Sequence, residues 1–144
     1  MPKSTNTCNS ILALIFNATA WADIAENDTS APAANLYVSL HTADPGIGGA
    51  QTTNETAYTN YARVAVARTN VGWSVPASGA TANAALVQFP QCGASGATIT
   101  HVAIGTASGG AGTVLYAGAL NSSLAVANLI QPQFATGDLD VTET

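Results

Sequence analysis

The sequence predicts a mainly β protein, a jelly-roll-like antiparallel β-sandwich of about eight strands with a short N-terminal helical segment. Two patterns and one length point there. Leu36, Val38 and Leu40 alternate with Tyr37, Ser39 and His41, the two-residue period of a strand with one buried face. Short apolar stretches then recur to the end of the chain, punctuated by Gly, Pro, Asn and Ser, which is the layout of a sandwich or barrel and not of alternating β and α units. With 144 residues the chain has the length of one domain, enough to bury roughly two-thirds of the surface its unfolded form exposes. Residues 1–144 are accordingly read as a single domain, with 1–34 the helical N-terminal segment and 35–144 the β-sandwich.

The elements follow in chain order. Ile11, Leu12, Ile15 and Phe16 recur at helical spacing and predict a helix over Thr7 to Phe16, with Asn6, Thr7 or Asn9 available to cap it. A second short turn is expected over Ala20 to Glu26, carrying Trp21 and Ile24. A helix this short is marginal in water, so its apolar face must pack on something, its own sandwich being favoured over a neighbouring subunit. After the Leu36 to His41 strand, further strands are expected at Tyr61–Thr69, Thr81–Phe89, Thr98–Gly105, Thr113–Leu120, Leu124–Ala127, Leu129–Phe134 and Leu139–Glu143. Pro132 cannot donate to a ladder, so its strand is expected at an edge or beginning at the proline. The segment Thr42 to Asn60 exceeds an ordinary hairpin loop and is rich in Gly, Thr and Asn, as functional or mobile loops are.

Composition excludes several classes of function. Eight acids against Lys3, Arg63 and Arg68 leave a net charge of −5, so no basic stripe can neutralise nucleic-acid phosphates or an anionic membrane surface. Charged residues are only 8% of the chain, which leaves a surface of Thr, Ser, Asn, Gln, Gly and Ala. Such a surface has few long side chains to immobilise and few charges to desolvate, and it suits either extensive protein contact or a plain solvated coat. The longest apolar run, Ile11 to Phe16, is well short of the roughly 20 residues of a membrane span and lacks the flanks of a signal peptide. The chain is read as made and kept in a cytoplasm, where Cys8 and Cys92, without CxxC spacing, stay reduced.

No grouping of residues points to catalysis, and an enzyme is not expected. There is no Gly-x-Ser-x-Gly, and His41 and His101 lie within expected strands without a neighbouring acid, as partly exposed or backbone-bonded residues. Asp44-Pro45-Gly46 reads as a turn in which the Asp bonds the backbone ahead, with a cation held by Asp44 and Glu55 as the rival. Asp138, Asp140 and Glu143 offer oxygen ligands without the spacing of a dedicated calcium loop, and read instead as a solvated acidic edge. Gly105 to Gly112 lacks the following Lys and Ser or Thr of a phosphate cradle and reads as a hairpin loop. No metal or other cofactor is implied. Trp73, Tyr58 and Tyr61 are the few stacking candidates for a carbohydrate.

The stretch Leu36 to Arg68 runs from an alternating strand through Ala-Asp-Pro-Gly and a Gly, Thr and Asn loop to Tyr61-Ala-Arg63 and a second strand. In that order, and in Trp73, Phe89-Pro90, Ile99 to Thr106, Leu115 to Leu120 and Gly137 to Glu143, the chain resembles a family of small tailed-bacteriophage virion proteins. The resemblance covers nearly the whole chain. It implies a virion structural protein, the members being labelled tail-fibre or structural proteins, while related small sandwich proteins serve as cement on capsids. Arg63, in a strand after Tyr61 and at the place of the Tyr-Ala-Arg motif, is read as a structural anchor held by an internal salt bridge or backbone carbonyls, with a partner contact as the alternative.

Compactness without fibre repeats or heptads favours a capsid cement or decoration protein that stabilises the outer shell. The alternative is a tail-associated or tail-fibre protein that contacts the host surface. The expected partners are the major capsid protein or another virion protein and further copies of this chain, a trimer being preferred to a dimer. The contacts are expected from the segment before Asn35 and from the long loop, at Asp44, Gly46, Thr53, Asn54 and Tyr58.

Overall fold

The computed structural model describes residues 3–21, 24–25 and 32–144. The chain divides into two compact units, one of Met1–Asn35, Val66–Val87 and Phe134–Thr144, the other of Leu36–Ala65 and Gln88–Gln133. The described elements are one helix, α1 (Thr5–Phe16), and the strands β1 (Asn35–His41), β2 (Val64–Ala67), β3 (Ala80–Ala82), β4 (Val87–Gln88), β5 (Ala97–Gly105), β6 (Val114–Val126), β7 (Gln133–Phe134) and β8 (Asp140–Thr142). The fold is thus mainly β with a short N-terminal helix, the class the sequence predicts, and its β1–β5, β5–β6 and β3–β8 pairs are antiparallel.

In the first unit the helix begins two residues before its expected start. Ser4 is the N-cap, its hydroxyl accepting from the Thr7 amide at 3.2 Å and so satisfying one of the donors that a helix start leaves bare. Cys8, Leu12 and Phe16, four residues apart, form the buried stripe. Phe16 meets Trp73 edge to face with ring centroids 4.7 Å apart, and neither ring reaches solvent. At its other end the helix leaves bare carbonyls, and Arg68 supplies their donors: Nε to Ile15 and Nη2 to Leu14, with Nη1 to Ala33, all at 2.7 Å. The expected turn over Ala20 to Glu26 lies partly outside the described residues; within it Trp21 and Ala25 form an isolated bridge.

The strand expected over Thr81 to Phe89 is two strands, and Asn83 is the reason. Its side chain is 1% exposed; its amide donates to the Ala85 and Ala135 carbonyls at 2.8 Å and its Oδ1 accepts from the Leu139 amide at 2.9 Å. A side chain that takes over backbone partners in this way ends a ladder. β3 has by then paired with β8, Ala80 opposite Thr142 and Ala82 opposite Asp140. β4 pairs with β7, which begins directly after Pro132, as a residue without an N–H requires. The stretch from Leu129 up to that strand is a turn, with Leu129 at φ +69° and the Ile130 amide bonded to Ala127, in place of the expected strand start.

The second unit holds most of a four-stranded sheet in the order β2-β1-β5-β6. Leu36, Val38 and Leu40 are buried as their alternation predicts. Ser39 and His41 on the opposite face are buried as well, so this strand is covered on both sides at its C-terminal end. Tyr61 bonds back to Tyr58 in a turn, which delays β2 to Val64. The strands expected at Thr113–Leu120 and Leu124–Ala127 are one strand across a bulge: Ile99 faces Leu124 and His101 faces Ala119, so Leu120 to Ser123 stand opposite Thr100 alone.

Leu40 is 1% exposed and Thr52 is an exposed loop residue. Leu40→Ala is therefore expected to cost about 2 to 5 kcal/mol and Thr52→Ala less than about 0.5. Urea midpoints of the two variants check this, and equal midpoints would mean that the buried face of β1 is misassigned.

Candidate functional site

The loop after β1 is the longest connection in the second unit, and its inner side is fixed at four places. The imidazole of His41 is the first. Nδ1 lies 2.9 Å from the Thr53 carbonyl, which can only accept, so Nδ1 carries the proton; Nε2 is left to accept from the Ser39 hydroxyl at 2.9 Å. Burial lowers the His41 pKa from its ordinary 6.5, outweighing the Thr53 carbonyl and the nearby Glu55 carboxylate, which act the other way. The Ser39–His41 pair has the spacing of a nucleophile and its base, but both side chains are 0% exposed, so no substrate reaches the hydroxyl. Its work is structural: of the two states expected for His41, partly exposed or bonded to backbone, the structure has the second, with the ring completely buried.

Gln51 is the second fixed point, also 0% exposed. Its Oε1 accepts from the Ala107 amide at 2.9 Å, and its backbone N–H donates to the Gly112 carbonyl at 2.8 Å. The side chain lies so close to the sheet that a Cβ on Gly105 would sit 2.2 Å from Gln51 Cδ, and only glycine leaves room. The third point is the Asp44 turn. Asp44 Oδ1 accepts from the Gly46 amide at 2.8 Å, Gly46 takes φ +75°, and the Asn54 side chain donates to the Asp44 carbonyl at 2.8 Å.

The fourth is Arg63, the anchor named from the sequence. Its Nε and Nη2 hold both oxygens of Glu55 at 2.7 Å, while Nη1 donates to Ala107 O and Nη2 to Gly110 O at 2.8 Å. The Arg63 side chain is 3% exposed and that of Glu55 14%, so the pair is withdrawn from water and the fork geometry suits it. The Glu55 hydrogen bonds raise the Arg63 pKa further. Tyr61 donates to Glu55 Oε1 at 2.8 Å and accepts from the Leu40 amide at 3.1 Å; burial pushes its phenol far above its usual range. Glu55 is thereby committed to Arg63 and Tyr61, and Asp44 to its own turn, which leaves no shared cation position between them.

The outer side of this loop borders an open groove of about 750 Å³. One wall is Asp44 and Gly46 to Ala50; the other is Ala111 to Ala117, the start of β6. Asp44 is the one charged residue among the lining groups, and Ile47, at the tip, is fully exposed. Asp44, Gly46 and Asn54 are exposed and Thr53 is half-buried, its hydroxyl accepting from the Ala50 amide at 3.1 Å. Tyr58 is different. It is 2% exposed and its hydroxyl donates to the Pro90 carbonyl at 2.8 Å, with burial pushing its pKa up to about 12, so its ring belongs to the core and offers nothing to a partner. Trp73 is fully buried and Tyr61 sits behind Glu55, so neither ring is a sugar platform.

The remaining candidates separate. His101 lies opposite His41 across the β1–β5 pair, with Nδ1 2.8 Å from the Thr100 hydroxyl. Asp138 closes a turn by accepting from the Ala135 amide at 2.8 Å, Glu143 pairs with Lys3 at 2.6 Å, and Asp140 is exposed on β8. Among the described residues no three His, Cys, Asp or Glu side chains gather as a metal site would need. Cys8 and Cys92 are buried free thiols.

Residues 3–142 match the family described as podophage GP4 fiber I protein gp80. The chain belongs to this family. Its membership makes it a phage virion structural protein, as the resemblance read from the motifs implies, and the family is named for a fibre and not for a shell. No curated protein matches the chain significantly.

Two outcomes test the site. Arg63→Ala strands the Glu55 carboxylate and is expected to cost about 3 to 5 kcal/mol in urea unfolding, whereas Lys3→Ala leaves the midpoint essentially in place. His41, its folded pKa held below the unfolded 6.5, disfavours folding once the unfolded chain starts to take up its proton. Its contribution is complete above that value and is lost as pH falls toward the lower folded pKa. The stability advantage of the wild type over His41→Gln should therefore shrink from pH 7.5 to pH 5, each being about one unit or more from the ordinary histidine value; a gap that stays constant would show that His41 does not titrate against folding.

Proposed function

We propose that this chain is a fibre-associated protein of a short-tailed phage, a small subunit on the tail side of the virion that takes part in contact with the host surface. The carrying observation is the match of residues 3–142 to a family described as a podophage fibre protein. The groove and the uncharged strand beside it supply a surface of mostly Gly, Ala and Thr with apolar Ile47, Val114 and Leu115 and a single charge, Asp44, suited to contact with little electrostatic cost. Compactness alone had favoured capsid cement, but a small module serves a fibre base or tip equally well, and nothing in the groove favours a shell. The expected partners are other virion proteins and further copies of this chain, with no cofactor and no catalytic step.

Cross-linking mass spectrometry and copy counting in purified virions test this reading. A fibre protein is expected to cross-link to tail components and to be present in a handful to a few dozen copies, in keeping with closed cyclic assemblies of identical chains. Several hundred copies cross-linked to the major capsid protein would restore the cement reading and overturn this one.

A further inference from the structure

β6 is the last strand of the sheet order β2-β1-β5-β6, and it is long, from Val114 to Val126. Residues 117–119 and 121–125 are exposed without interruption by period, so both faces of the strand as well as its outer edge meet solvent. A strand edge in that state is a template for another strand, and proteins protect it with charge, proline or a covering element. None is here. From residue 69 to residue 137 the sequence contains no Asp, Glu, Lys or Arg, and β6 contains no proline. Among the described residues the outer edge carries one pairing only, the bridge of Thr113 to Ala50, on the side away from Thr106, whose amide bonds the Thr113 carbonyl. The edge therefore accepts a ladder partner at its first step, and the groove opens where that ladder stops, along Val114 to Ala117.

We propose that the outer edge of β6 pairs antiparallel with β6 of a second copy of this chain, joining two four-stranded sheets across a two-fold axis. The proposal rests on reading the chain as a repeated virion component. Charge selects the occupant. The chain carries −5, so two copies repel wherever their acids approach, and a basic partner would be drawn to those acids. A copy of the same chain can come close only along a neutral surface, and β6 is one: Ala117, Gly118, Ala119, Ser122, Ser123 and Ala125 are small and uncharged and let a second backbone lie alongside. Like edges meet around a two-fold axis, so the unit of self-association is a dimer in place of the trimer expected from the sequence.

Sedimentation velocity of the purified chain across micromolar concentrations tests the pairing. The wild type is expected to be a dimer. Ala117→Lys/Ala119→Lys, which places like charges on the paired strands, should weaken association at least about tenfold, with the circular dichroism spectrum of a folded chain retained, while Thr52→Lys off the edge leaves the dimer intact. A monomeric wild type, a trimer, or a dimer indifferent to the lysines would overturn the proposal, and the virion cross-linking result would stand apart from all three. If the lysine variant fails to fold, amide exchange of the wild type decides: protection along 114–126 should rise with protein concentration, and protection independent of concentration would overturn the pairing.

Discussion

The second unit depends on the guanidinium of Arg63. A loop of Gly, Thr and Asn has little apolar surface with which to hold itself, and without fixed contacts it would sample many conformations at considerable entropic advantage. Arg63 removes that freedom by binding Glu55 of the loop with one pair of nitrogens and the carbonyls of Ala107 and Gly110, in the β5–β6 connection, with the same fork. Tyr61 adds its hydroxyl to the same carboxylate and links it to the Leu40 amide. Because these groups are shielded from water, removing one leaves the others unpaired, so the contact acts as a unit and not as separate bonds.

The first unit solves a different problem with the same residue type. Arg68 donates to Leu14 and Ile15 near the end of α1 and to Ala33, giving partners to carbonyls that a short helix cannot satisfy internally. With two of its three cations occupied in this manner and Lys3 paired to Glu143, the chain has almost no positive charge left for recognition. What it presents outward is uncharged apart from a few acids such as Asp44 and Asp140.

How much of this was legible in the chain differs from element to element. The Leu36, Val38, Leu40 alternation, the Asp44-Pro45-Gly46 turn, the break at Pro132 and the anchoring role of Arg63 were all readable, because each is set by local periodicity, local hydrogen bonding or a motif. Asn83 was hidden: a polar residue between apolar ones reads as the solvent face of a strand, and only its backbone partners, Ala85 nearby and Ala135 and Leu139 far along the chain, make it a strand terminator. Gln51, Ser39 and Arg68 were missed for the same reason, and Tyr58 was placed in the wrong environment because exposure of a loop aromatic is decided by what packs over it. The uncharged run from residue 69 to residue 137 was the one available sign that the β5–β6 region stands apart.

The sequence by itself determined the mainly β class, the short helix, the scarcity of charge and the phage virion family, since these follow from composition, period and motif order. Tertiary structure alone decided that the long loop is pinned by Gln51, His41 and Glu55, that β6 is a single bulged strand at the end of its sheet, and that a groove runs beside it. The physical reason is that a strand's sequence records which of its faces is buried but not whether its edge is paired. That is fixed by segments far away in the chain, through backbone groups that every residue shares.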